Sequence, residues 1–152
     1  MTDETTELNL FAGFWRQVWA GSLDIIIAML SFTILFIIVF AILVNVSPAD
    51  WPLDTLTAWF KLLSFSYYFL YRTLFISSKY RASYGMRALN IFVTDLSGER
   101  ISFLRAAYRE LLTYVSSIFY FGYLMIPFTE KKQGFHDILS KCLVLKKEPR
   151  LF

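Results

Sequence analysis

The sequence predicts an all-α integral membrane protein: two transmembrane helices, a third apolar segment, and a small basic cytoplasmic cap. Three observations carry that expectation. The 152 residues are 57% hydrophobic and 19% aromatic, with a mean hydropathy of +0.51, far from soluble composition. Ile25 to Val44 carries no charge, with Ser31 and Thr33 as its only polar interruptions. As a helix that run is about 30 Å long, the hydrocarbon thickness of a bilayer. The bases gather beside the apolar runs, as they do in cytoplasmic loops.

Length predicts one domain over residues 1–152. The net charge of +3 belongs to those loops, so no nucleic-acid partner is expected. A single cysteine, Cys142, excludes an intramolecular disulfide, and a single histidine, His136, excludes a multi-His metal site. No cofactor is expected. Residues 1–10 hold Asp3, Glu4 and Glu7 without a base and read as a mobile acidic tail. The apolar run behind them is too long for a secretory leader, so the first span is expected to stay in the membrane.

The first span is placed at about 23–44, entered by a helix that starts near Phe11. Trp15 and Trp19 serve as headgroup-level anchors. At about 100° per residue, Gly13, Gln17, Ala20, Ala28 and Ser31 fall on the side of Asp24, while Ile25, Ile26, Leu30, Phe32 and Ile37 lie elsewhere. Such a face of small and polar residues lets another helix approach. Arg16 lies about 12 Å from Asp24 along the axis, so the two serve different partners.

Residues 45–54 form an acidic loop with Pro48, Pro52, Asp50 and Asp54. The second span is placed at about 56–77. Its stripe of Ser64, Tyr67, Tyr68, Tyr71 and Ser78 needs hydrogen-bond partners and suits the small-residue face of the first helix. A basic stretch, Lys79 to Arg109, follows. Leu89–Val93 has strand character, Asp95-Leu96-Ser97-Gly98 reads as a turn, and Arg100–Phe103 is expected to return as a short β-hairpin. An amphipathic helix is expected from Ser102, with Leu104, Tyr108 and Leu111 on one side.

The third apolar run, 111–128, contains Ser116, Ser117, Gly122 and Pro127 and leads to another basic tail. The acidic loop predicts a cytoplasmic N-terminus and basic stretch. Three full crossings would put the basic tail outside. The run is therefore either a straight crossing that breaks the charge rule or a broken re-entrant hairpin bending near Gly122, which protein must cover.

These residues together resemble the RDD family of small polytopic membrane proteins, over Phe11 to Leu145. The family's arginine matches Arg16 in Gly13-Phe14-Trp15-Arg16, its first aspartate Asp24, and its second Asp137 in Phe135-His136-Asp137. Its Thr-Pro-Gly-Lys-Arg turn is similar to Ser83-Tyr84-Gly85-Met86-Arg87, and its Leu-Arg pair to Tyr108-Arg109. The chain departs where Thr-Pro is Ser-Tyr, where Lys is Met86, and where the Ala-Gly-Thr after the second aspartate is Ser140-Lys141-Cys142. The resemblance implies a bacterial inner-membrane protein of largely unassigned function, with ion or proton-coupled transport suggested for some members and assembly roles for others.

Two function classes follow. Asp24, with Arg16 and Asp137 shaping a cytoplasmic mouth, suits the movement or sensing of an ion or small solute, in a homo-oligomer or with a membrane-protein partner, since three apolar segments enclose no water-filled path. The alternative is a scaffold or assembly factor whose charged set is structural. There Arg72, reaching down from the second span, holds Asp24 ionised, and Asp137 accepts from Arg16, Arg87 or Arg109, or caps a helix over 138–143. Arg16 also suits anionic lipid headgroups. His136 reads as a hydrogen-bonded neighbour or a pH switch, and Gly85 and Arg87 as supporting residues of the turn. An enzyme is not expected, because no spacing sets a nucleophile beside a base.

Overall fold

A computed structural model describes residues 10–46, 52–119 and 124–147. The expected tail 1–10 (save Leu10), the centre of the acidic loop and the bend near Gly122 lie outside them.

Helix α1, Phe14–Val46, is continuous for 33 residues, about 50 Å. Gly13 accepts the first two helical N–H bonds, from Arg16 and Gln17. Buried on α1 are Gln17, Ala20, Asp24, Ala28 and Phe32, one stripe at three- and four-residue steps. Phe32, expected off this face, is buried because it packs between the rings of Phe60 and Tyr67. Only 11% of the most apolar 18-residue window of α1 is buried within the protein. The core helix of a soluble domain would be covered, so this surface is one for lipid. Among the described residues α1 alone is both long and apolar enough to cross a bilayer by that measure.

Helix α2, Leu53–Ser77, has 25 residues and lies along α1. Tyr67 meets Ser31 at 3.1 Å and Tyr71 reaches Asp24, so these two of the expected stripe face α1, while Ser64 and Ser78 bond carbonyls of their own helix and Tyr68 packs on Tyr114. A short helix, α3 (Tyr84–Ala88), follows and packs on α1. Strand β1 is Ile91–Asp95. Helix α4, Phe103–Phe119, joins the expected amphipathic helix to the third apolar run. Its polarity is inverted: Leu104, Tyr108 and Leu111 are exposed, while Arg109 and Glu110 are buried. A 3₁₀ turn at Ile126–Phe128, helix α5 (Phe135–Ser140) and strand β2 (Cys142–Lys146) complete the chain.

The expected local hairpin does not form. The turn after β1 is present, with Asp95 Oδ1 accepting from the Ser97 and Glu99 N–H groups. Residues 100–103 then fail to return as a strand, because the Ser102 hydroxyl accepts from the Arg105 N–H and starts α4. The antiparallel partner of β1 is instead β2, in register from Ile91 opposite Lys146 to Asp95 opposite Cys142. Phe11 bridges Leu145 on the other edge of β2, and the Ala12 N–H donates to the Val144 carbonyl at 2.8 Å. The start of α1, the segment after α2 and the tail therefore share one end of the molecule. Its apolar core is here too, formed by Ala12, Ala20, Ile76, Met86, Val93, Ile101, Ala106 and Val144.

Candidate functional site: a buried chain of charges

Three acids and two arginines are buried where α1, α2, α4 and α5 meet the cap. Asp24 and Asp137 are 0% exposed, Glu110 1%, Arg109 2% and Arg72 5%. Unpaired, any one would be prohibitive there. They alternate in sign. Arg72 Nη1 donates to Asp24 Oδ2 at 2.6 Å, and its Nε and Nη2 grip both Glu110 oxygens at 3.0 and 3.2 Å. Arg109 Nη1 donates to Glu110 Oε1 at 3.1 Å, and its Nε and Nη2 converge on Asp137 Oδ1 at 2.8 and 2.7 Å. The order is Asp24–Arg72–Glu110–Arg109–Asp137, with each guanidinium fork shared between two carboxylates.

Asp24 accepts three further hydrogen bonds, from Tyr71 Oη at 2.9 Å, from the Gly85 N–H at 2.7 Å, and from the Ser83 hydroxyl. Ser83 also caps α3 by accepting from the Met86 N–H, so it keeps the hydroxyl that the family's threonine supplies. Gly85 is required by proximity. A Cβ there would press into the Ala20 carbonyl and sit 2.9 Å from the Asp24 carboxylate. Met86, at the family's lysine position, is buried in the apolar core and contributes packing.

Asp137 lies at the start of α5, where its Oδ2 accepts from the Gly134 N–H at 3.2 Å, and His136 Nε2 is 3.5 Å from the same oxygen. Burial opposes the Asp137 charge, but Arg109, His136 and the Gly134 N–H outweigh it and hold the carboxyl below its ordinary 3.8. Burial pushes His136 the other way for a base, below 6.5 despite Asp137, so it is neutral at pH 7. The buried set holds three acids against two arginines.

Of the residues the sequence singled out, Asp24, Asp137, Arg72, Arg109, His136 and Gly85 converge here. Arg16 is exposed and stands apart, between Trp15 and Trp19, which are 69% and 61% exposed. Arg87 is exposed and lies over the Tyr80 and Tyr84 rings at 4.6 and 5.7 Å. Asp137's partner is Arg109, neither Arg16 nor Arg87. Sequence reasoning missed Glu110 as the central link. Its signal was an acid beside Arg109 at the mouth of an apolar run, which reads equally well as a solvated counter-charge.

A long apolar helix left uncovered, with charges paired away beneath it, defines a small helical membrane protein. The chain belongs to the RDD family, whose model matches residues 11–141. It is similar to "Uncharacterized protein YxaI" of Bacillus subtilis (strain 168), 35% identical over 148 residues, which cover 90% of this chain and 97% of that protein. No solved structure matches it.

Proposed function

We propose that this protein is a membrane-embedded scaffold, and that its Arg/Asp/Asp signature divides between structure and surface. Asp24 and Asp137 belong to a lock that joins the spanning helices to the cytoplasmic cap, while exposed Arg16 engages anionic headgroups. The observation that carries this reading is the saturation of Asp24. Four donors from α2 and the α3 turn occupy its two oxygens, leaving no face for a transported ion.

α1 and α2 cross the bilayer, and the third segment is re-entrant. From Arg109 to Phe119, α4 rises about 15 Å, half the hydrocarbon thickness. The chain is back at the cap by Lys132, whose carbonyl accepts from Gln17 Nε2 at 3.1 Å. The basic loops face the cytoplasm of a bacterial cell, and partners are lipid, a second copy or another membrane protein.

Transport or sensing by an oligomer is favoured by one feature. A cavity of about 760 Å³ between α1, α2 and α4 has Arg72, Arg109, Glu110 and His136 in its wall, and its open side would need a neighbour to close it. Proteoliposomes carrying a pH-sensitive dye under imposed sodium, potassium and proton gradients separate the two readings. The scaffold reading expects no protein-dependent flux at any oligomeric state. Flux that Asp24→Asn abolishes, in protein that remains folded, overturns it.

A further inference from the structure

The interior charges alternate in sign, whereas the cap has a region whose described charged lining residues are all basic. A groove of about 990 Å³ opens between the end of α2, the α3 turn and the ends of the two strands. Its wall holds Lys79, Arg81, Arg87, Lys146 and Lys147, and no described residue lining it is acidic. Among the described residues Lys79, Arg81 and Arg87 make no ion pair.

These cations are positioned all the same. The Arg87 guanidinium is stacked over Tyr80 and Tyr84, and Lys79 Nζ lies 5.2 Å from the Tyr80 ring centre. Arg81 donates to the Gly98 carbonyl at 2.7 Å and holds a left-handed backbone, φ 54°. Aromatic faces and a carbonyl orient charge without cancelling it. The ends of α2 and α3 border the groove, but each helix end supplies about half a negative charge at most. Lys79, Arg81 and Arg87 alone exceed that, and their mutual repulsion favours an anion among them.

We propose that this groove binds a multiply charged phosphate group. A phosphate monoester carries about −1.5 to −2 with three acceptor oxygens, and the guanidinium and ammonium groups in the lining donate the charge-assisted hydrogen bonds it accepts. The groove begins two residues past Ser77, the last residue of α2, so it opens at headgroup level. The same chemistry is offered by the headgroup of an anionic phospholipid and by a soluble pyrophosphate, and the groove faces both phases.

The test uses the full chain in nanodiscs, with thermal unfolding and direct titration as readouts. One arm titrates inorganic pyrophosphate into nanodiscs of phosphatidylcholine. The other compares those discs with discs containing phosphatidic acid or cardiolipin. Each is repeated with Lys79→Gln/Arg87→Gln, and with Lys131→Gln, an exposed base outside the groove. Pyrophosphate affinity that falls at least tenfold in the double variant only, and weakens from 50 to 200 mM salt, supports the soluble source. Stabilisation by anionic discs alone, lost in the double variant and kept in Lys131→Gln, supports the headgroup. Binding absent from both arms, or reduced equally by Lys131→Gln, overturns the proposal.

Discussion

Asp24→Asn tests the buried chain most sharply, because the substitution keeps shape and changes only charge and donor pattern. The two carboxylate oxygens have separate sets of donors. Oδ1 faces Tyr71 and the Gly85 N–H, and Oδ2 faces Arg72 and Ser83. The hydroxyls of Tyr71 and Ser83 are able to turn and accept. The Gly85 N–H and the Arg72 guanidinium only donate. Whichever way the asparagine amide is placed, its NH₂ confronts one of those two obligate donors at a spacing of 2.6 or 2.7 Å. Arg72 keeps its two-pronged contact with Glu110, which limits the loss. Breaking one partner out of a buried pair costs about 3–5 kcal/mol, and the retained Glu110 places this case near 3. That is a large share of a typical total of about 5–15 kcal/mol. The assay is reversible unfolding in mixed micelles by SDS titration, followed by circular dichroism. Arg72→Met alone is expected to be worse, since it takes a guanidinium partner from two carboxylates, Asp24 and Glu110. The double variant should be less damaged than the two single losses summed. A single variant within 0.5 kcal/mol of wild type, or strict additivity in the cycle, would refute the argument that these groups act as a chain.

The cap is expected to be acid-sensitive in two stages. As pH falls below 6.5 the unfolded His136 takes up a proton that the folded one resists, so stability declines by up to about 1.4 kcal/mol per pH unit; His136→Gln should flatten melting temperature against pH between 7 and 5, and an unchanged slope rejects the assignment. The Asp137 contribution is complete above 3.8 and is lost as pH falls through its lower folded value, so Asp137→Asn should remove that second stage. Gly85→Ala should cost about 1–3 kcal/mol by forcing α3 off α1, and a neutral result in the same SDS titration would contradict the close approach. Lys141 sits in the left-handed region, φ 53°, as the C-cap of α5, at the position of the family's glycine; Lys141→Gly should therefore stabilise by about 1 kcal/mol, and a loss in melting temperature would show that its side chain matters more. Impermeant maleimide should label Ser97→Cys and Lys131→Cys from one side of the membrane and Asp54→Cys from the other; label at Lys131→Cys from the Asp54 side restores a straight third crossing.

Legibility followed the range of the signal. The small-residue face around Asp24 and the Tyr67 and Tyr71 members of the stripe were readable because helix periodicity maps sequence directly onto faces, and Arg72 was reachable from the antiparallel arrangement of two spans. The pairing of β1 with β2 was not. Cys142-Leu-Val-Leu-Lys146 is a fair strand by composition, yet its partner lies some fifty residues earlier, and the turn after Asp95 offered a nearer hairpin that local propensity cannot reject. Glu110 failed for a related reason. A charge at the edge of an apolar run is ordinarily solvated, and only the meeting of α2, α4 and α5 shows that it is enclosed by Arg72 and Arg109. Local pattern fixes faces; it does not choose which distant faces meet.

That choice is harder in a bilayer, and the charge chain answers the difficulty. Lipid tails are as apolar as Leu or Ile, so burying the oily surfaces of α1 and α2 against each other gains little over leaving them in lipid. Packing alone would leave their rotation and register weakly determined. Five charges that must alternate in sign, with Asp24 held by four donors and Glu110 by two guanidinium groups, are satisfied by one arrangement. Turning α1 by one residue moves Asp24 about 100° off Arg72, which keeps Glu110, and leaves the Asp24 carboxylate without its partner, at several kcal/mol. The chain thus acts against wrong assemblies more than it adds to the right one. This is why the substitution that removes both Asp24 and Arg72 should recover stability while losing uniqueness of packing, visible as broadened side-chain resonances in NMR spectra of the double variant.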